Sequence, residues 1–141
     1  MSNHTITKQD LTTQAALQLC HAAINQAKQL GINICITIVC SSGRSLASAA
    51  MNNSPLLSQA IAHKKALTAV SFGIPTREWQ GKLVERNNIL LALQSEPDFT
   101  FLGGGLPISL KGNIVGAIGV SGGSEQQDID CATTAINTLV N

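Results

Sequence analysis

The sequence predicts an α+β domain, a central antiparallel sheet flanked by helices. Three observations predict it. Two pairs of short apolar segments are joined by turns, Ile32–Cys40 to Ser45–Met51 and Leu106–Leu110 to Ile114–Val120, and such hairpins demand antiparallel pairing. Helical periodicity stands at both ends of the chain and in its middle. No strand–helix–strand unit recurs, which excludes a parallel nucleotide-binding fold. The 141 residues suit one domain. Residues 1–10 read as a loose polar lead-in and residues 11–141 as the domain.

The elements follow in order. Asp10 or Thr12 can cap a first helix whose apolar face is Ala15, Ala16, Leu19, Ala22, Ala23, Ala27 and Leu30, with Gly31 as its stop. Ile32–Cys40 is apolar and β-branched, so it reads as a strand buried on both faces. Ser41–Arg44 turns into Ser45–Met51, a weaker strand. Asn52–Pro55 is a second turn, with Ser54 as N-cap and Pro55 at the first helical position. Leu56–Phe72 is apolar almost all round, which predicts a helix enclosed by its own domain and a neighbour. Gly73-Ile74-Pro75 ends it. Thr76 caps a further helical stretch in which Glu78, Lys82 and Arg86 make a solvated stripe, and Ile89–Leu93 continues after a break. Lys111-Gly112-Asn113 is the turn of the second hairpin. Ser124 and Gln127 have capping-box spacing at the start of a last helix, with Ile129, Ala132, Ala135, Ile136 and Leu139 inside.

Composition narrows the function. The chain is 44% hydrophobic and only 12% charged, against about 25% charged in ordinary domains. Part of the non-polar surface is therefore expected to be covered by another subunit, in a homo-oligomer. A net charge of +1 with no cationic cluster opposes nucleic-acid binding. No run is long and apolar enough for a membrane span, and no signal peptide is read, so a cytoplasmic chain is expected. The four cysteines, Cys20, Cys35, Cys40 and Cys131, form no CxxC pair and are expected as buried reduced thiols.

The stretch Gly103–Asp128, GGGLPISLKGNIVGAIGVSGGSEQQD, resembles the GlcG/HbpS/PduO C-terminal-like family of haem-binding and related proteins. The shared pattern is GGG-x-P-(I/V), then G-x-(I/V)-(I/V)-G-A-(I/V)-G-V-S-G-G, then an acidic residue four or five positions on. Lys65-Ala66-x-Thr68-Ala69 and Phe72-Gly73-x-Pro75-Thr76 agree with it, and the likeness runs from about Leu11 to Leu139. The resemblance implies a profilin-like sheet, oligomeric assembly and, in some members, bound haem. It also implies settings in corrinoid, glycolate and diol metabolism. The chain departs from the family in three places: Cys40 stands where an Asp is usual, Asn52-Asn53 where Asp-Gly or a similar pair is usual, and Gln126 where many members have Glu.

Two main-chain bends are candidate ligand sites: Gly103, Gly104 and Gly105, and the Ser121, Gly122, Gly123, Ser124 turn. Glycine lets a ligand approach the backbone, and the second bend opens a helix whose first amides are unpaired and carry partial positive charge. A small anionic ligand, such as a carboxylate, a phosphate or a haem propionate, can dock there. The competing reading is that the glycines serve only tight turns and packing. Lys65, in the family's Lys-Ala motif, either reaches such an anion or makes a structural ion pair. His21 lies off the Leu19/Ala23 face, beside Leu17, Ile24 and Lys28, a mixed stripe suited to a partner or a flat ligand. A neutral imidazole can bind haem iron axially, and in haem-binding relatives a histidine near the start of the domain has been taken as that ligand. A solvated or interface histidine is the alternative. His63, beside Lys64 and Lys65, reads as a subunit contact, and Trp79 as an aromatic anchor at an edge. No catalytic constellation is visible, nor any cluster of zinc or magnesium ligands. The expectation is a binding protein for haem, another tetrapyrrole or a carboxylated metabolite, with an enzyme or accessory factor of glycolate, diol or corrinoid metabolism as the alternative.

Overall fold

A computed structural model of the chain describes residues 3–139. Its elements are α1 (Thr13–Leu30), β1 (Cys35–Cys40), β2 (Ser45–Ala50), α2 (Ser58–Phe72), α3 (Glu78–Leu83), α4 (Asn87–Gln94), β3 (Gly105–Leu110), β4 (Asn113–Ser121) and α5 (Glu125–Ile136). The strands form one sheet in the order β2-β1-β4-β3, and every pairing is antiparallel. The α+β architecture expected from the two hairpins is the one observed.

Local chemistry sets the element ends. Thr12, not Asp10, caps α1: its side chain accepts from the Ala15 amide at 3.1 Å. Asp10 instead accepts from the Ser41 amide at 2.8 Å, tying the lead-in to the first hairpin. At the other end Gly31, with φ +73°, donates to Lys28, and the Ile32 amide donates to the Ala27 carbonyl. This paired closure holds Ile32 to the helix, so β1 begins at Cys35 rather than at Ile32. Two expected caps are absent. Ser54 lies in a turn with its hydroxyl against Cys35 Sγ, 3.4 Å away, and α2 starts only at Ser58. Thr76 turns its hydroxyl inward, donating to the Leu102 carbonyl at 2.7 Å and accepting from the Gly105 amide at 3.0 Å, so it pins the glycine run instead of capping α3. The Ser124–Gln127 capping box of α5 is formed in full.

The two faces of the sheet are packed differently. Against α1 and α5 lies the main core, with Leu19, Ile34, Ile36, Ile38, Ile108, Ile118 and Val120 enclosed. Against α2 lies a thin layer of Val39, Ala66, Ala69 and Ala117. The thinness is built into β4: a Cβ on Gly119 would collide with the Ala62 carbonyl oxygen and stand 2.6 Å from the Ala66 amide nitrogen. Alanine on the helix and glycine on the strand bring the two backbones together.

All four cysteines are free and buried. Burial pushes the Cys20 and Cys131 thiols up to about 11. A thiol-disulfide reagent such as Ellman's at pH 8 is expected to react slowly with the native chain and to count four thiols once urea unfolds it. A fast-reacting thiol before unfolding would contradict this packing.

Candidate functional site

The two glycine bends meet at one end of the sheet. Gly105 pairs with Gly119 across the β3–β4 ladder, and the Val120 amide donates to the Gly104 carbonyl at 3.0 Å. Gly103 packs against Glu125 and Ile129 of α5, while Gly122 rests on the Asn33 carbonyl. Ser121 is buried and Ser124 is spent on the helix cap.

The anion expected at the start of α5 is supplied by the chain itself. Asp128 Oδ1 accepts from the Gly123 amide at 2.9 Å, and Oδ2 accepts from Lys65 Nζ at 3.0 Å. Lys65 Nζ also donates to the Val120 carbonyl at 2.8 Å. Both side chains are enclosed, with 3% and 4% of their surface exposed. Lys65 comes from the helix on one face of the sheet and Asp128 from the helix on the other. Their bond therefore runs past the sheet's end, through space left by Gly104, where φ is +126° and a Cβ would stand 2.9 Å from Lys65 Nζ. Burial pushes the Asp128 carboxyl up and the Lys65 ammonium down, while their mutual attraction and the Gly123 amide oppose it. Lys65 thus makes the structural ion pair, and the Ser121–Ser124 turn holds an internal carboxylate. In the sequence Asp128 stands only as the acidic residue that ends the family motif, with no partner named for it. The signal that finds it is the acidic residue five positions after Gly123 in the motif.

On the outer side of the same bend lies a groove of about 380 Å³ bordered by Gly104, Gly105, Arg77 and Gln126, with Leu106, Ile129 and Pro75 as apolar lining. Arg77 was not singled out in the sequence. It donates to Gln126 Oε1 at 2.9 Å, and its Nε lies 3.6 Å from Glu125 Oε1. His21 stands apart. It is exposed on α1, in a stripe with exposed Leu17 and Lys28 and half-buried Ile24. His63 borders a different cavity, of about 480 Å³, together with the exposed Leu56 and Leu57. Trp79 meets Phe72 and Phe99 edge-on, at centroid distances of 4.9 and 5.4 Å. Among the described residues no group of His, Cys, Asp and Glu could hold a metal ion, and no helix is long and apolar enough to cross a membrane.

Residues 11–137 match the family of the haem degrading protein HbpS-like. The chain belongs to this family. Within the HbpS-like proteins it is 36% identical over 124 residues to the corrinoid adenosyltransferase PduO of Salmonella typhimurium, a match spanning 86% of this chain and 37% of that protein. The chain thus spans well under half the length of the PduO relatives it matches. The Klebsiella pneumoniae protein ORFY superposes with a TM-score of 0.92 at 26% identity, over 100% of this chain and 99% of that one. The PduOC:heme complex superposes with a TM-score of 0.82 at 30% identity, over 92% of this chain and 95% of that one. An HbpS-like fold that holds haem in one relative is therefore shared across nearly the whole domain.

Proposed function

We propose that this chain is a haem-binding, non-catalytic member of the HbpS-like family, with His21 as an axial iron ligand. The observation that carries the reading is the PduOC:heme complex, alike over nearly all of both chains. On this chain, His21 offers an unenclosed imidazole with Leu17, which is 51% exposed, and Ile24 beside it as apolar surface for a porphyrin face, and Lys28 as a cation for a propionate. The groove bordered by Gly104, Gly105 and Arg77 is the place for a smaller carboxylated ligand. Lys65, Gly103, Ser121, Gly122, Gly123 and Ser124 serve such a ligand indirectly, by holding that bend rigid. The exposed Leu56 and Leu57 just before α2, with the low charge of the chain, favour a homo-oligomer.

Haemin titration tests the reading. A saturable Soret band is expected, with His21→Ala losing the imidazole-type spectrum and His63→Ala keeping it. No Soret shift, or identical spectra for the parent and His21→Ala, would remove His21. Light scattering on the same samples gives the subunit number, and a monomer throughout would remove the oligomer. A second reading, an accessory role in corrinoid metabolism, is favoured by the PduO match. Thermal shifts with cobalamins but not with haemin would select it.

A further inference from the structure

A separate cavity of about 310 Å³ lies where α3 approaches α4. Trp79, Leu83 and Ile89 give it apolar lining, and Lys82 and Arg86 add two cations. Neither cation has a hydrogen-bonded or ion-paired partner among the described residues. Glu78, four residues before Lys82, does not pair with it, and Glu85 is exposed and engages neither cation. The indole nitrogen of Trp79 is buried, and no acceptor for it exists among the described residues. A buried donor without an acceptor is destabilising and calls for one. Helix α4, one wall of this region, buries none of its residues. An element with so little enclosure shifts at low cost, so the cavity can admit a ligand as far as the indole.

We propose that this cavity binds an organic carboxylate with an apolar body, and that it does so independently of any haem bound at His21. The carboxylate supplies the acceptor that Trp79 Nε1 lacks and neutralises Lys82 and Arg86. The apolar body covers Leu83, Ile89 and the indole ring. A bare inorganic anion leaves the apolar lining unused, and a neutral amphiphile leaves both cations without partners. Each is therefore a poorer ligand than a molecule carrying both features.

Trp79 is the one tryptophan of the chain and lines this cavity, so its emission reports on a ligand bound there. The test titrates the full chain with octanoate, octanol and acetate and follows that emission. Octanoate is expected to give a saturable change, with octanol and acetate weaker by about tenfold or more. The double variant Lys82→Gln/Arg86→Gln is expected to weaken octanoate by about tenfold while leaving octanol unchanged. Both side chains are exposed, so the variant is expected to fold, and an unchanged octanol response confirms that it has. His21→Ala is expected to bind octanoate as the parent does. Octanol equal to octanoate, a double variant equal to the parent, no saturable response, or loss of octanoate binding in His21→Ala would each overturn the proposal.

Discussion

Lys65→Met is expected to lower the stability of the domain by about 3–5 kcal/mol, because it leaves a buried carboxylate without its cation. In urea the midpoint falls while the slope stays unchanged, since the surface exposed on unfolding is the same. The side chains of Lys65 and Asp128 are almost fully enclosed, so solvent does little to screen their bond. In the variant, Asp128 keeps its burial and loses the largest influence holding its carboxyl down, so its folded-state pKa rises further above 3.8. A carboxyl raised in the folded state contributes stability below its unfolded value and loses it as pH climbs through the folded value. The deficit of Lys65→Met is therefore smallest below about pH 4 and grows towards neutrality. Adding Asp128→Asn should recover much of the loss at neutral pH, because it removes the stranded charge and keeps an acceptor for Gly123. A deficit that is the same at pH 4 and pH 7, or a double variant no better than Lys65→Met, would show that the pair is not what joins the two helical layers.

That pair also marks where the sequence stops being informative. Its members lie 63 positions apart on helices covering opposite faces of the sheet, and no local pattern measures such a distance. Burial could not be read off composition either, because a lysine in an apolar helix can equally snorkel to water. What local chemistry dictates was legible. The Gly31 stop, the Ser124–Gln127 box and both hairpins depend on neighbours within a few residues. The two misplaced caps, Ser54 and Thr76, fail for one physical reason. Each hydroxyl has a tertiary partner, Cys35 for the first and the Leu102–Gly105 backbone for the second, and that partner outbids the helix amide. For the candidate site, the motif located the two bends, and the structure brings them together. The motif could not show that Asp128 fills the space between them and turns the accessible side of the bend towards Arg77.

Gly119→Val is expected to be the most damaging single substitution in the sheet, costing at least about 3 kcal/mol, with Gly119→Ala about 1–3 kcal/mol. The argument rests on which atoms stand in the way. A side chain that meets the tip of a flexible neighbour can displace it, but a Cβ here meets the Ala62 carbonyl and the Ala66 amide of α2, which are locked into the helix ladder. The strand cannot move aside, because Gly119 is paired on both edges, with Thr37 of β1 and Gly105 of β3. Helix α2 must therefore lift, uncovering Val39, Ala66, Ala69 and Ala117. Gly81→Ala is the matching control: nothing stands within 4 Å of its added Cβ, and it lies inside α3, where alanine is expected to stabilise by about 0.5–1 kcal/mol. Because Lys65 rides on α2 beside Ala66, lifting the helix also draws its ammonium away from Asp128. Gly119→Val combined with Lys65→Met should then cost less than the sum of the two single losses. Strict additivity in urea unfolding would mean that α2 yields locally at Ala62 without disturbing the ion pair.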